Sequence, residues 1–303
     1  MVSKNLVICD QEDGYASAFA GYIMDKKELA FQVQTCSDIA HVLSVQKEGK
    51  IDYLFISAEC PKEVRKKVKA DKVFVLADHA MTDLTDREIL LYKYQSGEEL
   101  LAELIRQCSR SDTSEGGFLK TVKKKQGRII GVFSPVHRIG KTTYALMLGE
   151  ELASRANVLY LNMELYGGRE GYFAEGGQCL SDVLYYVRQE QGNLGLILTT
   201  LVKHRNHLDY VSPVQVSEDI KSVSLEEWRR LIRKIMEESI YEVLILDLDE
   251  GIRDVYDILE MCTEIHMPVT KDEAAEAKIR QFEEEIVLLG KEDIRRKIIR
   301  KEQ

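Results

Sequence analysis

Residues 128–155, RIIGVFSPVHRIGKTTYALMLGEELASR, constrain the fold of this chain more than any other stretch. The apolar run RIIGVFS, 128–134, reads as a strand buried on both faces. Beyond Thr142 the residues Ala145, Leu148 and Leu152 recur at helical spacing, so a helix opens at the run GKTT. A strand feeding a tight turn, with a helix starting directly behind it, aims main-chain N–H groups at an anion. Such a unit belongs in an α/β domain with a parallel sheet.

Apolar runs and helical patterns alternate through the rest of the chain. Downstream strands are read at 157–163, 207–212, 241–248 and 264–269, with helices between them that include 225–239 and 272–289. Runs such as VLILDL show no polar alternation, which marks a central parallel strand. Upstream, NLVICD (5–10), FQVQTC (31–36), DYLFIS (52–57), KVFVLA (72–77) and ILLYKY (89–94) are read as strands of a smaller parallel sheet. The helical pattern at 37–46 opens on Ser37 or Asp38 as N-cap. Between the two series lies SRSDTSEGGFLKTVKKKQGR, polar and with paired glycines, a linker composition. The expected organisation is a first α/β domain over 1–110, a linker over 111–126 and a larger doubly wound domain over 127–303.

Residues 135–142 satisfy the phosphate-loop pattern G-x-x-x-x-G-K-[ST] except at its first position, where Pro135 replaces glycine. Gly140 sits where backbone must approach phosphate closely. Lys141 would place its ammonium on the β and γ phosphates, and Thr142 would offer its hydroxyl to Mg2+. The expected nucleotide-binding residues are Val136, His137, Arg138, Ile139, Gly140, Lys141, Thr142 and Thr143. A further metal ligand belongs at the C-terminal end of another strand. YEVLILDLDEG supplies Asp247, with Asp249 as second choice. VLYLNMELYGG supplies Asn162 and Glu164, the latter to orient water or to stand in the outer shell of the metal. Asp247 and Glu164 are the catalytic candidates, and Thr142 and Asp247 the metal ligands.

Together these pieces resemble the MinD/ParA group of P-loop ATPases, whose loop reads K-G-G-x-G-K-T-T. Here Val136 stands in place of the signature lysine, and His137 and Arg138 in place of two glycines. Asn162-Met163-Glu164 takes the place of the group's D-x-D, and Asp247 that of its strand-end aspartate. The resemblance implies ATP with Mg2+ as cofactors, and a homodimer. In the group the lysine reaches the partner's nucleotide; Val136 cannot do so, while Arg138 either makes a bidentate phosphate contact or points to solvent. Loss of one transition-state cation lowers the rate on the order of 10³-fold. The expectation is therefore an ATP-held dimer with weak or absent hydrolysis.

The first domain resembles a response-regulator receiver. The positions matching its acidic pair hold Cys9 and Asp10, the phosphoacceptor position holds Ser57, the hydroxyl position Ala77 and the lysine position Lys93. A serine does not form the acyl phosphate that a carboxylate forms. The resemblance thus implies a pseudo-receiver with a degenerate pocket of Asp10, Ser57 and Lys93. A degenerate receiver joined to a MinD-like ATPase is the layout of the TadZ/CpaE family, which localises the assembly machinery of tight-adherence type IV pili. SPVHRIGKTT, VLYLN and CLSDVLYYVRQ are similar to TadZ-like sequences. The fold expected on this basis is a flavodoxin-like receiver sheet followed by a MinD/ParA-like doubly wound sheet. The partners implied are pilus or secretion machinery proteins, at a cytoplasmic, polar place peripheral to the inner face of the membrane.

Charge separates the rivals. With 42 basic against 51 acidic side chains the net charge is −9, a poor basis for nonspecific DNA binding by a partitioning ATPase. No specific nucleic acid is expected. A two-component transcription regulator would need a phosphoacceptor Asp where Ser57 stands. A nucleotide-free scaffold is the third rival, favoured if Pro135, His137 and Arg138 block the loop. No run approaches the roughly 18 apolar residues of a membrane span. The basic C-terminal segment 284–303, with spaced Ile and Leu, is read as a final packing helix with a frayed end or as a membrane contact.

Overall fold

The apolar runs form strands covered on both faces. The computed structural model describes residues 4–26, 29–79, 83–111, 127–173, 177–189 and 194–302. The chain divides into two compact units, Met1–Lys120 and Thr121–Gln303. Apart from Ser111, the expected linker 111–126 lies outside the described residues.

The first unit is built on β1 (Lys4–Cys9), β2 (Phe31–Cys36), β3 (Ile51–Ser57), β4 (Ala70–Ala77) and β5 (Glu88–Tyr92). Their order is β2-β1-β3-β4-β5, every pair parallel. This is the doubly wound order of flavodoxin-like sheets, with its switch point between β1 and β3. The central β3 is buried at every residue. The helices are α1 (Asp13–Met24), α2 (Ile39–Glu48), α3 (Lys62–Arg65) and α4 (Gly97–Ser111). Asp38 caps α2 by accepting the His41 N–H at 2.9 Å. Arg65, almost fully buried, forks onto both Glu88 oxygens and onto the Cys60 and Asp83 carbonyls, so all three of its nitrogens donate.

The second unit carries β6 (Arg128–Val132), α5 (Lys141–Ala153), β7 (Val158–Met163), α6 (Arg169–Tyr172), α7 (Leu180–Gln189) and α8 (Leu194–Leu201). There follow β8 (Val202–Arg205), β9 (Leu208–Val211), α9 (Ser217–Lys221), α10 (Leu225–Glu238) and β10 (Val243–Leu248). The last elements are α11 (Val255–Met261), β11 (Glu264–Val269), α12 (Glu273–Leu288), α13 (Glu292–Lys297) and β12 (Ile298–Glu302). The sheet order is β12-β11-β6-β10-β7-β9-β8, parallel except for the β8–β9 hairpin. One face packs α5 over Ile130, Tyr160, Leu208 and Ile245; the other buries Trp228, Leu231 and Phe282 from α10 and α12. A Cβ at Gly149 would come within 2.8 Å of Leu208, which is how close α5 lies to the sheet.

Two elements differ from the sequence reading. The C-terminal segment is not one packing helix. After α12 and the short α13 it turns into β12, which pairs in parallel with β11 from Ile298 beside Ile265 to Glu302 beside Val269. Its β-branched pair Ile298-Ile299 suits an edge strand, and the surrounding cations masked that signal. β8, VKHR, also escaped notice because only Val202 in it is buried. No helix of the described residues is long and apolar enough to cross a membrane.

Candidate functional site

The site of the second unit forms where β6, β10 and β7 end side by side. Register places Asp247 of β10 level with Val132 of β6 and with Asn162 of β7. Between β6 and α5 the loop is pinned at its start: Ser134 Oγ donates to the Pro268 carbonyl at 2.9 Å and accepts the Val136 N–H at 3.2 Å. At its end Gly140, with φ 74°, occupies the left-handed region that glycine enters freely. No side chain caps α5, which leaves the first-turn N–H groups to an outside acceptor. Arg138 is left-handed too, at φ 55°. That conformation costs a residue with a Cβ on the order of 1–2 kcal/mol. The loop therefore keeps a glycine-type backbone at a position where the chain has arginine.

Lys141 opens α5 and turns its ammonium toward the strand ends. Nζ lies 2.9 Å from Asp247 Oδ1 and 2.5 Å from Glu164 Oε1. Asp247 is fully buried, and its other oxygen accepts the Tyr160 hydroxyl at 2.8 Å and Asn162 Nδ2 at 3.4 Å. Asn162 Nδ2 also donates to the Tyr160 oxygen at 3.0 Å, and its Oδ1 accepts the Glu164 N–H at 3.2 Å. Burial pulls the Lys141 pKa down, but Asp247 and Glu164 more than offset it and hold the ammonium above its ordinary 10.5. Burial, with the Asp247 charge adding to it, pushes the Tyr160 phenol well above its usual range, so it stays a donor.

The remaining loop residues surround this centre. Val136 through Thr142 line a cleft of about 270 Å³ with Ser134, Glu164, Tyr172, Asp249 and Glu250. Val136 packs against the main core, His137 Nε2 lies 3.2 Å from Glu250 Oε1, and Thr143 Oγ1 lies 3.2 Å from the Tyr172 hydroxyl. Asp249 does not face Lys141. Its oxygens accept the Gly251 N–H at 2.7 Å and the Leu165 N–H at 3.3 Å, bracing the loops after β10 and β7 together. Tyr160 and Tyr172 were not singled out from sequence. Tyr160 has the pattern of any core aromatic, and Tyr172, exposed at the end of the short α6, has none that marks it.

The arrangement fits a nucleotide with Mg2+. Gly140 gives the turn and α5 the uncapped N–H groups, while Lys141 could serve as the cation and Thr142 and Asp247 as oxygen donors. Among the described residues no three His, Cys, Asp or Glu side chains converge to hold a metal by themselves. Mg2+ there would thus share phosphate oxygens, as it does in sites of this type.

The first unit carries the second set of predicted residues at the C-terminal ends of its strands. Asp10, after β1 and 2% exposed, meets Lys93, after β5, at 3.0 Å. Glu12 joins them from 2.9 Å, an acid the sequence reading had not included. The Lys93 ammonium also lies over the rings of Tyr15 and Tyr94. Ser57, buried at the end of β3, accepts the Glu59 N–H at 3.3 Å. Asp10 Oδ2 is buried with no hydrogen-bond partner among the described residues.

No protein-family model matches this chain, and no curated protein matches it in sequence. Similar solved structures include a ParA family ATPase from Chlorobium tepidum, at 19% identity, covering 58% of this chain and 74% of that one, TM-score 0.47. A plasmid partition protein from Borrelia burgdorferi bound to AMPPNP has 14% identity over 55% of this chain and 72% of its own, TM-score 0.40. Cobyrinic acid a,c-diamide synthase from Mycobacterium smegmatis, with bound ATP analogue and magnesium, has 13% identity over 57% and 72%, TM-score 0.41. Likenesses this distant carry no argument. The α/β architecture rests on the two parallel sheets themselves.

Proposed function

We propose that this chain is a positioning ATPase of the ParA/MinD type, in which ATP and Mg2+ bound at 136–143 hold a dimer and turnover is slow. The observation that carries this reading is the Lys141–Asp247 contact at the uncapped start of α5, beside the left-handed Gly140. In this role the N–H groups of the loop would bind the phosphates, Lys141 would neutralise their charge, and Thr142 and Asp247 would hold the metal. The chemistry supplied by bound Mg2+ is charge neutralisation across the β and γ phosphates. Glu164 would orient the attacking water. Slow turnover follows from Val136, an apolar side chain packed against the core where the resembled group has its lysine.

A finer reading makes the protein a localisation factor of the TadZ/CpaE kind for tight-adherence pili. It is supported by the flavodoxin-like sheet order of the first unit, by the Asp10–Lys93 pair at its strand ends, and by Ser57 standing in place of a phosphoacceptor carboxylate. Its partners would be proteins of the pilus machinery, met at a pole or the inner membrane face. The net charge of −9 favours such a positioning role over DNA partitioning.

Calorimetric titration of ATP with Mg2+, alongside solution mass, tests the proposal. Wild type should bind and double in mass without appreciable turnover. Lys141→Ala should bind at least about tenfold more weakly, the value of a charge-assisted hydrogen bond. Absence of binding by wild type, with none restored by any substitution at the cleft, would return the chain to the scaffold reading.

A further inference from the structure

The phosphate-loop lysine is already occupied, and its two partners are not equivalent. Asp247 is locked: it is fully buried, sits mid-sheet, and has its second oxygen held by Tyr160 and Asn162. Glu164 is not. Its side chain is 23% exposed and lies just past the end of β7 on the wall of the cleft. Its carboxylate closes on Lys141 at 2.5 Å, in the space beside the loop that a phosphate would need. Only its backbone is fixed, through the Asn162 contact to its N–H. Two glycines follow, Gly167 and the left-handed Gly168.

The balance of charge points the same way. The cleft wall holds the cations Arg138 and Lys141 against the acids Glu164, Asp249 and Glu250, with Asp247 directly behind. An incoming polyphosphate meets a lysine whose charge is spent on two carboxylates, and it can recover that charge by replacing only one of them. The exchange is like for like, one anionic oxygen for another, so the lost Lys141–Glu164 contact subtracts from the affinity gained.

We propose that Glu164 is a built-in competitor of phosphate at Lys141, an anionic plug that sets the nucleotide affinity of the site and must swing out when nucleotide enters. This rests on the nucleotide-binding reading and adds to it a residue whose removal strengthens binding. It differs from a role for Glu164 in the metal shell, which would make its removal weaken binding whenever Mg2+ is present.

The test is calorimetry of ATP on the full chain, with Mg2+ and separately with a chelator, for wild type, Glu164→Gln and Glu164→Ala. Two substitutions guard against a local folding defect in either, and thermal unfolding without nucleotide checks both. The plug predicts that both variants bind about tenfold or more tightly than wild type, with metal and without it, because a contact to a charged group has been removed from the competing state. Affinity equal to or below wild type in both variants would overturn the inference while leaving nucleotide binding intact. Weaker binding confined to the Mg2+ arm would also overturn it, in favour of a metal-shell role. Tight binding by the variants with none by wild type would support it in its strongest form. If wild type, both variants and Lys141→Ala all fail to bind, the nucleotide-binding reading falls and the inference falls with it.

Discussion

Tyr160 shows how one hydroxyl can orient a site whose cleft it does not line. It donates to Asp247 Oδ2 at 2.8 Å and so leaves Oδ1 to face Lys141. Tyr160→Phe removes that donor while keeping the ring stacked on Phe173. The buried oxygen is then left with the longer Asn162 contact at 3.4 Å. An unsatisfied buried acceptor costs about 1–3 kcal/mol, more when charged. The variant should keep its fold but unfold at a lower urea midpoint with unchanged slope, and an unchanged midpoint would remove Tyr160 from the network. Near neutral pH Lys141 keeps its charge. A lysine raised in the folded state contributes stability that is complete below its ordinary 10.5 and is lost only as pH rises through the higher folded value. At this scale Gly140, Lys141 and Asp247 were legible because the phosphate-loop pattern and an apolar strand ending in acid have few other uses. Glu12 and Tyr160 were not, because their roles come from neighbours brought by other strands.

The best specified element is α10. Ser224 and Glu227 form a reciprocal capping box: Glu227 Oε2 accepts the Ser224 N–H at 2.7 Å, and Ser224 Oγ accepts the Glu227 N–H at 3.4 Å. The helix then buries Trp228, Leu231, Ile232 and Ile235 on one face. Although burial raises the Glu227 pKa, the Ser224 groups and the Arg188 guanidinium outweigh it and hold the carboxyl at about 2. A depressed carboxyl stabilises above its unfolded value of 4.5, and that contribution fades as pH falls toward about 2. Ser224→Ala should cost about 1 kcal/mol at neutral pH. Glu227→Gln should flatten the loss of stability below pH 4.5, read by denaturant melts across that range. A variant as acid-labile as wild type would place the acid sensitivity elsewhere. Elements with this much local signal were legible in the sequence, as were the unbroken apolar strands β3 and β10. β8 and β12 were not, since an edge strand of four or five residues buries too little to leave a periodic trace.

For the whole molecule the decisive fact is that each unit has its own parallel sheet and its own buried clusters. Heat should therefore resolve two transitions, and ligands should move them selectively. ATP with Mg2+ at 100 times its dissociation constant stabilises its unit by about 2.7 kcal/mol. For a unit of this size that is on the order of 5–10 °C. Only the transition of the Thr121–Gln303 unit should rise, and Lys141→Ala should abolish the rise. Beryllium fluoride, which mimics a phosphoryl group on a carboxylate, should leave the other transition where it is. The first unit offers Ser57 in place of the accepting carboxylate, and its Lys93 is already paired with Asp10 and Glu12. A beryllofluoride-dependent rise of the first transition would mean that the pocket still takes a phosphoryl group, and the pseudo-receiver reading would fail. If the first transition stays put and ATP moves the second, nucleotide is the one ligand of the pair that the protein registers, and it does so through the cleft at Lys141.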